Sequence, residues 1–169
     1  MLRFVFVLIF TITLGYISEA QNFGYTNTQE IISQMPEMQE ANSQIEVLKN
    51  MFSKKGQEMV QSLRTKYQDL QKKQASGEIA PATLEKEGAA LKAEEEKIVE
   101  FEQTSQQKIY EKSEELMRPI QDKVNKAIKD VAAEHGYLYI FDTAQGIVIY
   151  ADPASDVTKL IKGKLGIKI

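Results

Sequence analysis

Few residues of this 169-residue chain could carry covalent chemistry, and their spacing does not bring them together. His135 is the sole histidine, and there is no cysteine. A histidine can act as a general base when a nucleophile or an orienting acid lies within hydrogen-bonding reach. His135 instead precedes Gly136 at the end of a helical pattern, where a partial positive charge is favourable. Glu94, Glu95 and Glu96 could supply carboxylates for acid–base work or for a hard cation. Three successive helical residues point in three directions, however, so this run reads as a solvated face. No set of His and acidic residues has metal-ligand spacing, and no glycine-rich phosphate loop with Lys-Ser or Lys-Thr is present. Neither catalysis nor a metal or organic cofactor is expected.

What remains is the chemistry of contact. Met51, Phe52, Met59, Tyr67 and Phe101 are large or adaptable apolar side chains set among charged residues. Methionine suits contacts with varied partners because its thioether chain repacks easily. These five are expected to touch a bound partner chain. Their alternative role is the seam between two helices.

The elements that must position them are two long helices. The first opens at Pro36, a favoured first helical position. It carries Ile45, Leu48, Phe52, Met59, Leu63, Tyr67 and Leu70 at gaps of 3, 4, 7, 4, 4 and 3, a heptad-like series. Ala75-Ser76-Gly77-Glu78 breaks the pattern, and Pro81 can start the second helix. That helix carries Leu84, Leu91, Ile98, Ile109, Leu116, Ile120, Val124, Ile128 and Val131, and Gly136 ends it. A turn near Gly77 makes facing residues sum to about 156, which sets Pro119 opposite Pro36. Pro119 cannot donate a helical hydrogen bond, so a kink and a hinge at the base of the hairpin are expected at Pro36 and Pro119. Gly56 and Gly88 would soften the arms at two heights.

Short strands flank the helices. Phe23-Gly24-Tyr25-Thr26 can form one, and Asn27 with Glu30 can cap a short helix after it. Beyond Gly136, Tyr137 to Phe141 and Ile147 to Tyr150 carry a β-hairpin signal around a loop at Asp142 to Gly146. Asp156 can cap a last short helix. Three short strands with this much apolar surface do not stand alone in water, so self-association is expected. Its surface is expected at Tyr25, Tyr139, Ile140, Phe141, Ile147 and Ile149.

Near the start of the chain stand Arg3, an almost wholly apolar run from Phe4 to Leu14, and Ser18-Glu19-Ala20. This reads as a secretory signal peptide over 1–20, cut after Ala20. Its apolar stretch of about 11 residues is far short of the roughly 20 that span a bilayer. Residues 21–169 then form one domain, with a body at 21–36 and 119–169 and a helical arm at 37–118, expected to be soluble. Setting Arg3 and Glu19 aside leaves 20 basic and 23 acidic residues. That finely mixed balance argues against nucleic acid, which needs a basic stripe. Without cysteine, packing alone must hold an exported chain together.

Gly24-Tyr25-Thr26-Asn27-Thr28-Gln29-Glu30-Ile31 with Met35-Pro36-Glu37 resembles the start of the Skp/OmpH family of periplasmic chaperones. So do Pro119-Ile120, Lys123 to Ile128, Gly136-Tyr137, Phe141-Asp142 and Tyr150-Ala151-Asp152-Pro153. The resemblance implies an α+β fold: a long antiparallel coiled-coil hairpin on a small β body that trimerises, jellyfish-like. It further implies a holdase that works in the periplasm without ATP. The partners would be unfolded outer-membrane proteins, held in a cavity between the arms, and two further copies of the chain. The best-known members are strongly basic, whereas Met38 to Glu134 here holds 16 basic and 18 acidic residues. These near-neutral arms argue against strong binding to an anionic membrane surface. The rival reading is a coiled-coil scaffold or spacer with a fixed partner, for which a stricter heptad and fewer interior glycines are expected.

Overall fold

The computed structural model describes residues 22–168; the expected signal peptide lies outside the described residues. The elements run β1 (Phe23–Thr26), α1 (Thr28–Ser33), α2 (Pro36–Ala75), α3 (Pro81–His135) and β2 (Tyr139–Asp142). A 3-10 turn at Pro153–Ser155 and α4 (Thr158–Lys164) complete the order. The described residues form two compact units, one from residues 22–31 with 123–168 and the other from Ile32–Asp122.

The second unit is the helical hairpin. Pro36 begins α2, where its missing N–H costs no hydrogen bond. The 40 residues of α2 and the 55 of α3 give lengths of roughly 60 and 80 Å. At the tip, the Ser76 N–H donates to the carbonyl of Lys72 at 2.9 Å. Gly77 then takes φ +72°, a left-handed conformation that favours glycine, and Glu78 N–H donates to the Lys73 carbonyl at 3.1 Å. Near this tip Leu63, Leu70, Leu91 and Ile98 form a buried cluster, with Met59, Tyr67, Ile79 and Leu84 packed on it. Lys66–Glu94 at 2.6 Å and Lys73–Glu87 at 3.3 Å cross between the helices. Exposed pairs of this kind contribute at most about 1 kcal/mol each, while each buried Leu or Ile contributes about 1.5–3 kcal/mol. The apolar seam therefore holds the hairpin, and the ion pairs add little to it. Pro119 lies within α3, whose helical run is unbroken from Pro81 to His135.

The first unit is built on a parallel pair. Phe23 aligns with Tyr139, Gly24 with Ile140, Tyr25 with Phe141 and Thr26 with Asp142. Parallel strands need a crossover rather than a tight turn, and here the crossover is the entire stretch between Thr26 and Tyr139. Val124, Ala127 and Val131, at helical spacing on α3, are buried, as are Ile31, Val157 and Ile161. Gly24 is required by space: a Cβ there would lie 2.9 Å from Cγ1 of Val157. Thr26 and Thr158 share a buried hydroxyl hydrogen bond at 3.1 Å. The expected Asn27 cap is present, since the Glu30 N–H donates to Asn27 Oδ1 at 3.0 Å.

The expected β-hairpin is corrected. β2 pairs with β1, and Ile147 to Tyr150 forms no ladder among the described residues. Past Asp142 the chain is tied to β1 instead, because the Thr143 N–H and hydroxyl both donate to the Thr26 carbonyl, at 2.9 and 3.1 Å. The turn closes at Gly146 with φ +69°, and Ile147, Ile149 and Tyr150 beyond it are exposed. Their β-branched composition records a strand preference whose partner this unit does not supply.

Candidate functional site

Two surfaces gather the residues singled out from the sequence, one in each unit. In the hairpin, Phe52 of α2 and Phe101 of α3 meet edge to face, with ring centroids 6.0 Å apart and planes at 78°. Gly56 stands across from Phe101, and a Cβ there would lie 3.8 Å from the Phe101 ring, an ordinary contact. A hollow of about 560 Å³ with Gly56 in its lining lies between the two helices at this level. Phe52, Val60, Phe101 and Ile109 line it, with Gln57, Gln61 and Gln106 among its polar lining residues. Ser105 also lines it, and its buried Oγ has no hydrogen-bond partner among the described residues.

Of the five expected contact residues, Phe52 and Phe101 thus share one hollow, and Met51 is 54% exposed. Met59 and Tyr67 instead pack on the leucine–isoleucine cluster of the seam. Desolvation pushes the Tyr67 phenol pKa up, and the Glu95 carboxylate, through its charge and a hydrogen bond, pushes it further. Val47, Val60, Val99 and Tyr110 are also exposed on the helices and were not singled out from the sequence. The signal that could have found the hollow is the gap of seven between Phe52 and Met59, with Gly56 where a seam side chain is due.

In the strand unit, alternation puts Phe23, Tyr25, Tyr139 and Phe141 on one face of the two-stranded sheet. The rings stack: Phe23–Tyr139 at 5.8 Å and Tyr139–Phe141 at 6.2 Å, with Phe23–Phe141 at 6.4 Å. Tyr139 and Phe141 nevertheless stay more than half-exposed or close to it, and Ile149 is 99% exposed. Ile140 takes the opposite face and is half-buried. Phe23 was missed as a member of this face, although the alternation in Phe23-Gly24-Tyr25-Thr26 contains it. A second hollow of about 360 Å³ lies beside the face, lined by Tyr25, Phe141, Val148, Tyr150 and Asp152. Desolvation raises the Tyr25 phenol pKa, with Asp156 and Asp152 adding to it.

His135 ends α3, its carbonyl accepting from the Asn22 side-chain amide at 3.2 Å and its ring 6.4 Å from that of Tyr137. Among the described residues no cluster of His, Asp and Glu could hold a metal ion. No described helix is long and apolar enough to cross a membrane.

Comparison with known proteins agrees with this architecture. The family model described as outer membrane protein (OmpH-like) matches residues 22–165. The chaperone protein Skp of Yersinia enterocolitica is 30% identical over 146 residues, covering 83% of each chain. The solved structure of an OmpH-like outer membrane chaperone from Caulobacter crescentus CB15 shares the fold, with a TM-score of 0.76 at 16% identity. That match covers 90% of this chain and 88% of the other. The chain belongs to the OmpH-like family of outer membrane chaperones, which are not enzymes.

Proposed function

We propose that this protein is an ATP-independent periplasmic holdase that keeps unfolded outer-membrane proteins from aggregating. The observation that carries this reading is the open apolar hollow at Phe52, Gly56 and Phe101, beside exposed Met51 and Val60. A hairpin needed only for its own packing would close that level with a side chain at Gly56. The hollow's polar lining includes one lysine and one glutamate, Lys49 and Glu102, so capture rests on apolar contact rather than on electrostatic steering. Several weak contacts acting together then give high affinity through effective concentration while each exchanges quickly.

The working unit is a homotrimer joined through the strand unit. Its support is the exposed aromatic face of Phe23, Tyr139 and Phe141, continued by Ile147, Ile149 and Tyr150. A patch of that kind on an exported chain without disulfides calls for a partner, and a second copy supplies the same strand preference. Pro36 and Pro119 act as the hinge at the arm's base. Contact with anionic lipid is minor because the arm residues are near neutral.

A spacer role is the second reading, favoured by the closed, ion-paired seam from Leu63 to Leu91. Size-exclusion chromatography separates the two. Mixed without ATP with an outer-membrane β-barrel protein diluted from urea, a holdase co-elutes with it as a soluble complex. A spacer elutes alone while the barrel protein precipitates.

A further inference from the structure

We propose that the exported chain begins with a pyroglutamate, formed when an N-terminal Gln21 closes on itself as a five-membered lactam. The proposal rests on the reading of residues 1–20 as a signal peptide cut after Ala20. It does not depend on the holdase reading.

The residues at the cut supply the chemistry. Ser18 and Ala20 are the small residues that frame it, and Gln21 is the residue that it releases. A glutamine at the first position carries its own electrophile, because attack by its α-amino nitrogen on its side-chain carbonyl carbon closes a five-membered ring. Free α-amino groups titrate at about 7.7–8.0, so near neutral pH a share of them is uncharged and nucleophilic. The α-nitrogen of Gln21 bonds to Cδ and the Cδ–Nε2 bond breaks. Nε2 leaves as ammonia, taking the proton that the amine gives up. One glutamine yields one lactam and one ammonia, and nothing is oxidised or reduced. The terminal positive charge is lost.

The next residue gives a closed end its value. Asn22 is held through both its side chain and its backbone. Its side-chain amide donates to the His135 carbonyl at 3.2 Å, a partner for one of the carbonyls that the end of α3 leaves without a helical one. Its own carbonyl accepts from the Leu138 N–H at 2.9 Å, one residue ahead of the Phe23–Tyr139 pair. Asn22 thus begins the join between the two strands, and a single residue separates the cut from this anchor. Aminopeptidases act on a free α-amine, and two of their steps from the cut would remove Asn22. The lactam offers no such amine. Cyclisation at Gln21 therefore fixes the end of the chain just outside the anchor.

The test is intact-mass and N-terminal peptide mass spectrometry. The protein is expressed as the full chain and purified from the periplasm of a bacterium that exports it. It is measured at once and after several days at neutral pH and growth temperature. The expected species is 21–169 lighter by one ammonia, with the loss placed on Gln21 by fragmentation. A chain starting at Gln21 that keeps its ammonia throughout overturns the cyclisation and leaves the cut standing. A chain starting anywhere else overturns both. A second arm exposes the incubated protein and Gln21→Ala, which keeps a free amine, to an aminopeptidase. The variant should lose Asn22 while the unmodified protein keeps it. Equal trimming of the two overturns the protective role of the ring.

Discussion

Asp142, at the end of β2, holds Thr28 at the start of α1 from across 114 residues of sequence. Its Oδ2 accepts from the Thr28 hydroxyl at 2.6 Å and its Oδ1 from the Thr28 N–H at 3.1 Å. The same Oδ1 accepts from the Ala144 N–H at 3.0 Å. One carboxylate thus fastens the first turn of a helix, the end of a strand and the turn that follows.

Desolvation by itself would raise the Asp142 pKa, but the hydrogen bonds from the Thr28 side chain and from the Ala144 and Thr28 N–H groups outweigh it and hold the carboxyl below its usual value. A carboxylate whose folded pKa is depressed stabilises the fold above the unfolded pKa, and that contribution fades as pH falls through the folded value. Asp142→Ala should cost about 1 kcal/mol at neutral pH, as loss of a helix cap does. In urea melts the difference between variant and unmodified protein should shrink below about pH 4.

Gly24→Ala should destabilise the strand unit. The added methyl would sit 2.9 Å from Val157 Cγ1 and 3.3 Å from the Tyr137 ring, so both must shift. Overpacking of this kind costs about 1–3 kcal/mol, read as a lower thermal midpoint. Gly56→Ala, with 3.8 Å of room, should raise the midpoint instead.

Ser105→Ala should stabilise the free protein by about 1 kcal/mol or leave it unchanged, because it removes a buried hydroxyl that has no partner. Chemical denaturation checks this. A marked loss of stability would mean that the hydroxyl is satisfied in solution.

On the proposed trimer joined through the strand unit, Tyr139→Asp with Phe141→Asp should yield a monomer. Both side chains lie on the exposed aromatic face, and a carboxylate buried there without a partner is strongly unfavourable. Sedimentation velocity reads the outcome; a doubly substituted protein that stays trimeric would remove this face from the interface.

The helical hairpin was legible because its signals are local. Pro36, Gly77, Pro81 and Gly136 each mark a boundary through their own backbone preferences, and the heptad-like run from Ile45 to Leu70 marks a face. Strand pairing was not legible to the same degree. Tyr139 to Asp142 and Ile147 to Tyr150 both have strand composition, yet only the first finds a partner, Phe23–Thr26, from the far end of the chain. Propensity names a strand and not its neighbour. The hollow was half-legible: Gly56 is visible as a break in the seam, but that Phe101 turns its ring toward it depends on the pairing of two helices. The Asp142–Thr28 clamp has no sequence signal at all, since nothing local relates positions so far apart.

Light scattering from an unfolded outer-membrane β-barrel protein, diluted out of urea with and without this protein and without ATP, tests the central claim most directly. Suppression that saturates near one trimer per barrel chain is the predicted result. Scattering that rises equally with and without the protein would contradict it.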